Sequence, residues 1–210
     1  MKIRNRAATA VAVATVLLLA GCSQALGGEF TKNLSVHLVK EKAAEAGTGV
    51  HACTLSYDIV AAAREAGLTG RAGVPGDGPY AWGEIADGPE SVLGKTDGAV
   101  IDCAYGINSE DVHVFTSGVV KGSAVSVMAP KIQADAGMDV KALSDFVEKA
   151  DKAAEGEPVV TPGGNVATVQ LPVAGGGDIA LIVSYGEGKT NMGADRAGKV
   201  AKALAGQARR

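Results

Sequence analysis

The chain has 210 residues, of which 47% are apolar, 4% aromatic and 20% charged. This length and composition fit one globular domain and exclude a disordered chain or a collagen-like repeat. The 20 Lys and Arg are outnumbered by 23 Asp and Glu, giving a net charge of −3, which excludes a nucleic-acid binder that depends on a basic surface.

The N-terminus has the pattern of an export signal. Lys2, Arg4 and Arg6 precede an uninterrupted run of small and apolar residues over 7–20. This run is shorter than the roughly 20 residues that a transmembrane helix needs, but its length and flanks are typical of a secretory signal peptide. We therefore expect residues 1–21 to be removed and the rest of the chain to lie outside the cytoplasm.

The sequence Leu-Ala-Gly-Cys that ends at Cys22 is more specific. It resembles the lipobox of bacterial lipoproteins, in which diacylglycerol is attached to the Cys sulfur and the chain is cut just before it. The alternative is an ordinary signal peptide with a chance Cys. We predict a lipidated Cys22 and a membrane tether over residues 22–48, followed by a single extracytoplasmic domain over residues 49–210.

Lipid rather than charge would have to hold this protein at the membrane. Removing residues 1–21 takes away three cations and no anions, which brings the net charge from −3 to −6. A domain of that charge has no bulk attraction to anionic lipid headgroups. The predicted location is therefore the outer face of the cell membrane, reached through the N-terminal lipid.

Cys53 and Cys103 are the other cysteines of the chain. An even pair in an exported domain indicates one disulfide, and closing a loop of about 50 residues stabilises a protein by roughly 4 kcal/mol. The alternatives are two free thiols and a metal or redox site. The metal alternative is weak, because His51 and Cys53 have no matching second pair of ligands.

The predicted tether and the start of the expected domain give mixed signals about secondary structure. Alternating apolar residues over 34–38 suggest a short strand, whereas residues 40–46 could begin a helix. A clearer helix is predicted over residues 56–66, with Thr54 or Ser56 as its cap.

Residues 68–98 contain eight Gly and three Pro. They predict a long irregular excursion with a turn of helix near residues 90–93. The only Trp, Trp82, stands in this segment beside Tyr80. An exposed aromatic pair is typical of a contact patch for a partner, glycan or ligand. The alternative is that Trp82 folds back into the core.

The second half alternates strands with helices. We predict three strands, then a helix capped by Asp139, then two strands around a triple-glycine turn and a closing helix. Their ranges are 99–105, 111–117 and 123–129 for the first strands, 139–153 for the helix, 166–173 and 178–185 for the last strands, and 193–207 for the closing helix. A hairpin over 118–122 would join the second and third strands. This order predicts an α+β fold, in which helices pack on an antiparallel sheet of about five strands stapled by one disulfide.

This arrangement resembles a family of actinobacterial cell-envelope lipoproteins known as domain of unknown function 3558. Besides the lipobox, the matching features are His-Ala-Cys-Thr-Leu at 51–55, Val-Ile-Asp-Cys-Ala-Tyr at 100–105 and Pro-Gly-Gly-Asn-Val-Ala at 162–167. The family often has a Trp after its second Cys, whereas Tyr105 follows here. The resemblance covers residues 50–208. It implies a disulfide-stapled α+β domain on the outer membrane face, and it implies no reaction.

Motifs of catalysis and cofactor binding are absent from the sequence. It has no Gly-x-Ser-x-Gly, phosphate loop, His-Glu-x-x-His, EF-hand loop or dinucleotide fingerprint, so we expect no enzyme, no cofactor and no metal. His113 near Ser117 on one strand face is the only local arrangement that could begin a catalytic triad, and a solvent-facing His is the commoner explanation. The spacing of His37, His51 and His113 supports no metal site.

These observations predict a lipid-anchored, non-enzymatic binding or interaction module at the cell envelope. Its partner would be an envelope protein, a polymer or a small ligand, and residues 68–98, with Tyr80 and Trp82, would form the contact region. One alternative is a small-ligand carrier or sensor with an internal apolar cavity. A second is an envelope enzyme without a recognisable motif.

Overall fold

The computed structural model describes residues 34–47, 53–73, 81–85, 90–188 and 190–208. Cys22, Tyr80 and the predicted signal peptide lie outside the described residues. The described part has the predicted α+β fold, with helices packed on an antiparallel sheet.

Helices and strands alternate irregularly along the chain. The helices are α1 (Val36–Gly47), α2 (Ile59–Glu65), α3 (Val92–Thr96), α4 (Ala124–Val127), α5 (Ala129–Ala136), α6 (Val140–Asp151) and α7 (Ala194–Gln207). The strands are β1 (Ala72–Gly73), β2 (Ala81–Ile85), β3 (Gly98–Ile107), β4 (Glu110–Val119), β5 (Pro158–Val160), β6 (Val166–Gln170) and β7 (Asp178–Ser184). The sheet order is β1-β3-β4-β7-β6-β5, and β2 pairs with the same outer side of β3 as β1 does.

Helices cover both faces of this sheet. Because successive side chains of a strand point to opposite faces, Ile101 and Cys103 pack against α1, α2 and α7, whereas Val100 faces the layer that contains α3 to α6. Leu181 and Ile182 divide in the same way on β7. Two apolar clusters result, one on each side of the sheet.

The disulfide between Cys53 and Cys103 confirms the predicted pairing. It connects the chain just before α2 to the middle of β3, and Cys103 is completely buried in the larger apolar cluster. The bond therefore ties the first helical layer to the sheet.

The start of the domain differs from the prediction. The ambiguous stretch is helix α1, whose buried residues Val36, Val39, Ala43 and Ala46 follow helical spacing and pack toward β2 and β3. Residues 34–47 therefore belong to the folded domain, and the predicted tether over residues 22–48 is wrong for that part. A four-residue helical stripe outweighs the short alternation that suggested a strand.

The predicted strand over residues 123–129 is wrong. The segment forms α4 and the start of α5, so residues 118–122 connect a strand to a helix and form no hairpin. Ser123 caps α4, because its Oγ accepts a hydrogen bond from the Ser126 N–H at 2.9 Å. The Ala124 N–H donates to Asp178 Oδ2 at 2.7 Å, which fixes the helix start against β7.

The predicted irregular excursion over residues 68–98 contains regular structure. It holds β1, β2 and α3, and α3 is the helical turn that was expected near residues 90–93. With β5, which the sequence did not predict, these strands bring the described sheet to seven rather than about five. The helix predicted over residues 139–153 is confirmed as α6, and its cap is Asp139, whose Oδ1 accepts from the Ala142 N–H at 2.8 Å.

Candidate binding groove

A groove of about 470 Å³ opens on the sheet face that carries α3, α4 and α5. Its floor comes from β2, β3 and β4, and its walls come from α3 and the α4–α5 segment. We call it the Trp82 groove, and its lining residues are Trp82, Glu84, Ser91, Val92, Leu93, Val100, Asp102, Phe115, Val127, Met128, Pro130 and Lys131. Most of these side chains are apolar, so the groove offers an apolar surface with a few polar groups.

Strand register sets the order of side chains on the groove floor. Trp82 pairs directly with Asp102, which pairs on its other side with Phe115. Directly paired residues project to the same face, so the three side chains form one row across three strands. Trp82 is 53% exposed and Val92 is 58% exposed. The alternative prediction, that Trp82 folds back into the core, is therefore wrong.

Asp102 also orients His113. The Nδ1 atom of His113 lies 3.0 Å from each carboxylate oxygen of Asp102. This hydrogen bond raises the pKa of His113 above its usual range, and partial burial of the ring opposes the increase. The imidazole stacks on Phe115 with ring centroids 5.8 Å apart. The ring is thus held beside two residues of the groove floor, and its side chain is 38% exposed.

Lys131 stands on the α5 wall of the groove and is held by a buried carboxylate. Its Nζ atom lies 2.5 Å from Asp135 Oδ1 and 5.8 Å from the centre of the Phe115 ring. Asp135 is only 2% exposed, and its second oxygen accepts a hydrogen bond from Ser184 Oγ at 2.6 Å. The charge of Lys131 is therefore compensated by Asp135.

Glu84 differs from the other charged residues of the groove in having no partner of opposite charge within the described residues. It is exposed on β2, two residues along from Trp82, and no ion pair to it occurs within the described residues. Glu84 and Asp102 thus contribute negative charge, whereas the positive charge of Lys131 and the negative charge of Asp135 cancel each other. Above the pKa of His113, the groove as described is acidic.

His113 and Ser117, the one local arrangement that could have begun a catalytic triad, do not meet. Four strand residues separate them by about 13 Å, and Ser117 is completely buried. Its Oγ has no hydrogen-bond partner in the described part of the chain. Within the same part, no Ser, Thr or Cys side chain forms a hydrogen bond with His113. The His113–Asp102 pair can accept or donate a proton, but no nucleophile stands next to it there.

Of the other two histidines, the one within the described residues lies apart from the groove. His37 is exposed on α1, and His51 lies outside the described residues, as Cys22 and Tyr80 do. Across the ranges that the structure describes, no group of three or more His, Cys, Asp or Glu is placed to hold a metal ion. The same ranges contain no helix that is long and apolar enough to span a membrane.

Sequence reasoning found Trp82 but missed Asp102, Phe115 and Lys131. Lys131 and Asp135 stand four residues apart, a spacing that signals an ion pair only when the segment is known to be helical. Comparison with family models, with curated proteins and with solved structures finds no match to this chain. The resemblance to the actinobacterial lipoprotein family stays a prediction.

Proposed function

We propose that this protein is a lipid-anchored, non-enzymatic binding module of the cell envelope, and that the Trp82 groove is its binding site. The observation that carries the proposal is the exposed Trp82 side chain on an apolar groove with a few oriented polar groups. Exposed apolar side chains that cluster around a concavity are typical of binding sites. The export pattern and the lipobox-like sequence before Cys22 support the envelope location.

The groove also agrees with the region that the sequence favours for contact. Trp82 and Glu84 on β2, together with Val92 and Leu93 on α3, all belong to residues 68–98. The opposite wall is built by α4 and α5, which are anchored on the sheet through the apolar cluster that contains Val125 and Ile132. A wall built from residues 68–98 therefore faces a wall that is packed onto the sheet.

A small-ligand carrier or sensor is a second candidate function. The observation that favours it is the position of the groove between the sheet and the helices, with a volume in the range of small-molecule sites. Both functions use the same site. They differ in whether the protein retains a ligand when it is purified.

Native mass spectrometry of the full protein from its own envelope tests the site. A carrier or sensor should show extra mass that is lost on denaturation, retained by Val140→Ala and absent from Trp82→Ala. Val140 is a matched control, because it is an apolar side chain 74% exposed on α6 outside the groove. Extra mass that persists in Trp82→Ala would place the ligand elsewhere.

If wild-type protein carries no extra mass, a photo-crosslinking residue at position 84 in intact cells decides between a partner and no partner. A defined cross-linked product, absent when the same residue stands at position 140, supports an interaction module. Absence of any product at position 84 would contradict binding at the groove. In the same cells, Cys22→Ser should move the protein out of the membrane fraction, because the lipid could no longer be attached.

A further inference from the structure

We infer that the Trp82 groove selects a small ligand with a positive charge and an apolar body. This inference rests on the proposed function and adds the chemical class of the ligand. It follows from the charge of the groove, from its aromatic surface and from its size.

The charges of the described groove favour a cation. Glu84 has no ion pair within the described residues, whereas Asp102 is paired with His113, and their hydrogen bond favours the charged imidazolium. The one lysine of the lining, Lys131, is already compensated by the buried Asp135 at 2.5 Å. Within the described groove, an anionic ligand would meet the unpaired carboxylate of Glu84 and no uncompensated lysine. A cation would meet complementary charge on the β2 and β3 side of the groove.

The aromatic surface of the groove also favours a cation. The faces of aromatic rings attract cations, and Trp does so most strongly. One cation is already placed this way, since Lys131 Nζ lies 5.8 Å from the centre of the Phe115 ring. Trp82 is the other aromatic ring of the lining, and it is 53% exposed. Strand pairing places it directly beside Asp102, so an aromatic ring and a carboxylate meet at one point.

Size and apolar lining complete the description of the ligand. A volume of about 470 Å³ suits a small molecule and is bounded by α3 on one side and α5 on the other. Leu93, Val100 and Met128 line the depth of the groove, and each is nearly buried. An apolar body would cover these side chains while the charged group remains near Trp82, Glu84 and Asp102.

Three probes that share a benzyl group and differ in charge test this inference. They are benzyltrimethylammonium, benzyl alcohol and benzylsulfonate, titrated against the full chain in vesicles of a neutral glycolipid. Trp82 is the only Trp of the chain, so its fluorescence reports on the groove alone. We expect a saturable change with benzyltrimethylammonium at a Kd at least tenfold lower than with benzylsulfonate, and benzyl alcohol in between.

Removing one carboxylate should reduce this preference. Glu84→Gln should weaken benzyltrimethylammonium binding about fivefold and leave benzyl alcohol unchanged, a size of effect expected for one partly exposed charge pair. Both Glu84 and the control Glu41 are exposed, so neither substitution threatens the fold. Glu41→Gln on α1, on the other side of the sheet, should leave all three affinities unchanged.

The outcomes separate the ligand class from the site itself. Equal affinity for the three probes, or tighter binding of benzylsulfonate, would overturn selection of a cation and leave the groove as a binding site. An unchanged cation affinity in Glu84→Gln would also overturn it. Failure of every probe to change Trp82 fluorescence would contradict the inference together with small-ligand binding at this groove.

Discussion

At the scale of single residues, the buried Asp135 holds the α5 wall of the groove against the sheet. Its carboxylate accepts hydrogen bonds from the side chains of Lys131 and Ser184. Its backbone carbonyl accepts hydrogen bonds from Asn165 Nδ2 at 2.7 Å and from the Gly188 N–H at 2.8 Å. The residue therefore connects α5 to β7 and to the chain beyond it. Removing the buried carboxylate is costly, because Lys131 and Ser184 then lose their hydrogen-bond acceptor.

We predict that Asp135→Ala lowers the free energy of unfolding by about 2–3 kcal/mol. Ser184 would be left buried without its acceptor, and Lys131 would lose its compensating charge. The control is Asp145→Ala, which removes an exposed partner of Lys141 on α6 and should cost less than about 0.5 kcal/mol. Urea unfolding followed by circular dichroism measures both. Equal effects of the two substitutions would contradict the role of Asp135.

His113 gives a second prediction at this scale, because Asp102 raises its pKa above the usual 6.5. NMR titration should find the His113 ring with a raised pKa in the wild type and a pKa near or below 6.5 in Asp102→Asn. The signal is assigned by its loss in His113→Gln. If Asp102→Asn leaves the pKa of His113 unchanged, the hydrogen bond is not its cause.

The same shift fixes the sign of a pH effect on stability. Since the folded state binds the His113 proton more tightly than the unfolded state, the stabilisation is fully present below about pH 6.5 and is lost as pH rises through the folded pKa. The side chain is 38% exposed, so the effect should stay below about 1 kcal/mol. Asp102→Asn should remove this part of the pH dependence.

At the scale of elements, helices with strong local signals could be predicted and segments fixed by distant contacts could not. Helix α6 has an apolar stripe and the cap residue Asp139, which are both local features. Residues 123–129 alternate like a strand, and what makes them helical includes the bond from the Ala124 N–H to Asp178, 54 residues away. A sequence pattern contains no information on that contact.

The residues of the groove were also difficult to predict from the sequence, because distant contacts bring them together. Trp82 stood out because it is the only Trp, but Asp102 and His113 meet only through the register of the β3–β4 hairpin. That hairpin turns at Asn108 and Ser109, both with positive φ. Asn tolerates this conformation readily, but a turn without Gly is a weak sequence signal. Because the sequence does not give the register of β3 and β4, the hydrogen bond between Asp102 and His113 could not be predicted.

Packing of α1 against β2 gives a prediction for a pair of glycines. A Cβ at Gly83 would collide with the backbone carbonyl of Ala43, whereas a Cβ at Gly73 on β1 would meet nothing within 4 Å. Gly83→Ala should therefore force β2 and α1 apart and cost about 1–3 kcal/mol of unfolding free energy. Gly73→Ala should be close to neutral. Unfolding in urea distinguishes them, and a neutral Gly83→Ala would show that α1 and β2 can separate without cost.

At the scale of the whole molecule, the Cys53–Cys103 disulfide encloses the segment that builds one side of the groove. The two cysteines are 50 positions apart in the sequence, and the loop between them contains β1, β2 and α3. In the unfolded chain the bond restricts this loop, and in the folded protein it fixes the segment before α2 to the middle of β3. Loss of the bond should therefore lower global stability while the buried sheet still forms.

We predict that dithiothreitol lowers the free energy of unfolding of the wild-type protein by about 2–4 kcal/mol. A loop of this length has a large conformational entropy when the bond is broken, and that entropy favours the unfolded state. Urea unfolding with and without the reductant measures the difference on identical side chains. The control is the double variant Cys53→Ala with Cys103→Ala, whose unfolding should not respond to dithiothreitol. If the wild-type midpoint is equally insensitive under conditions that expose both thiols to a blocking reagent, the bond contributes nothing to the stability of the fold.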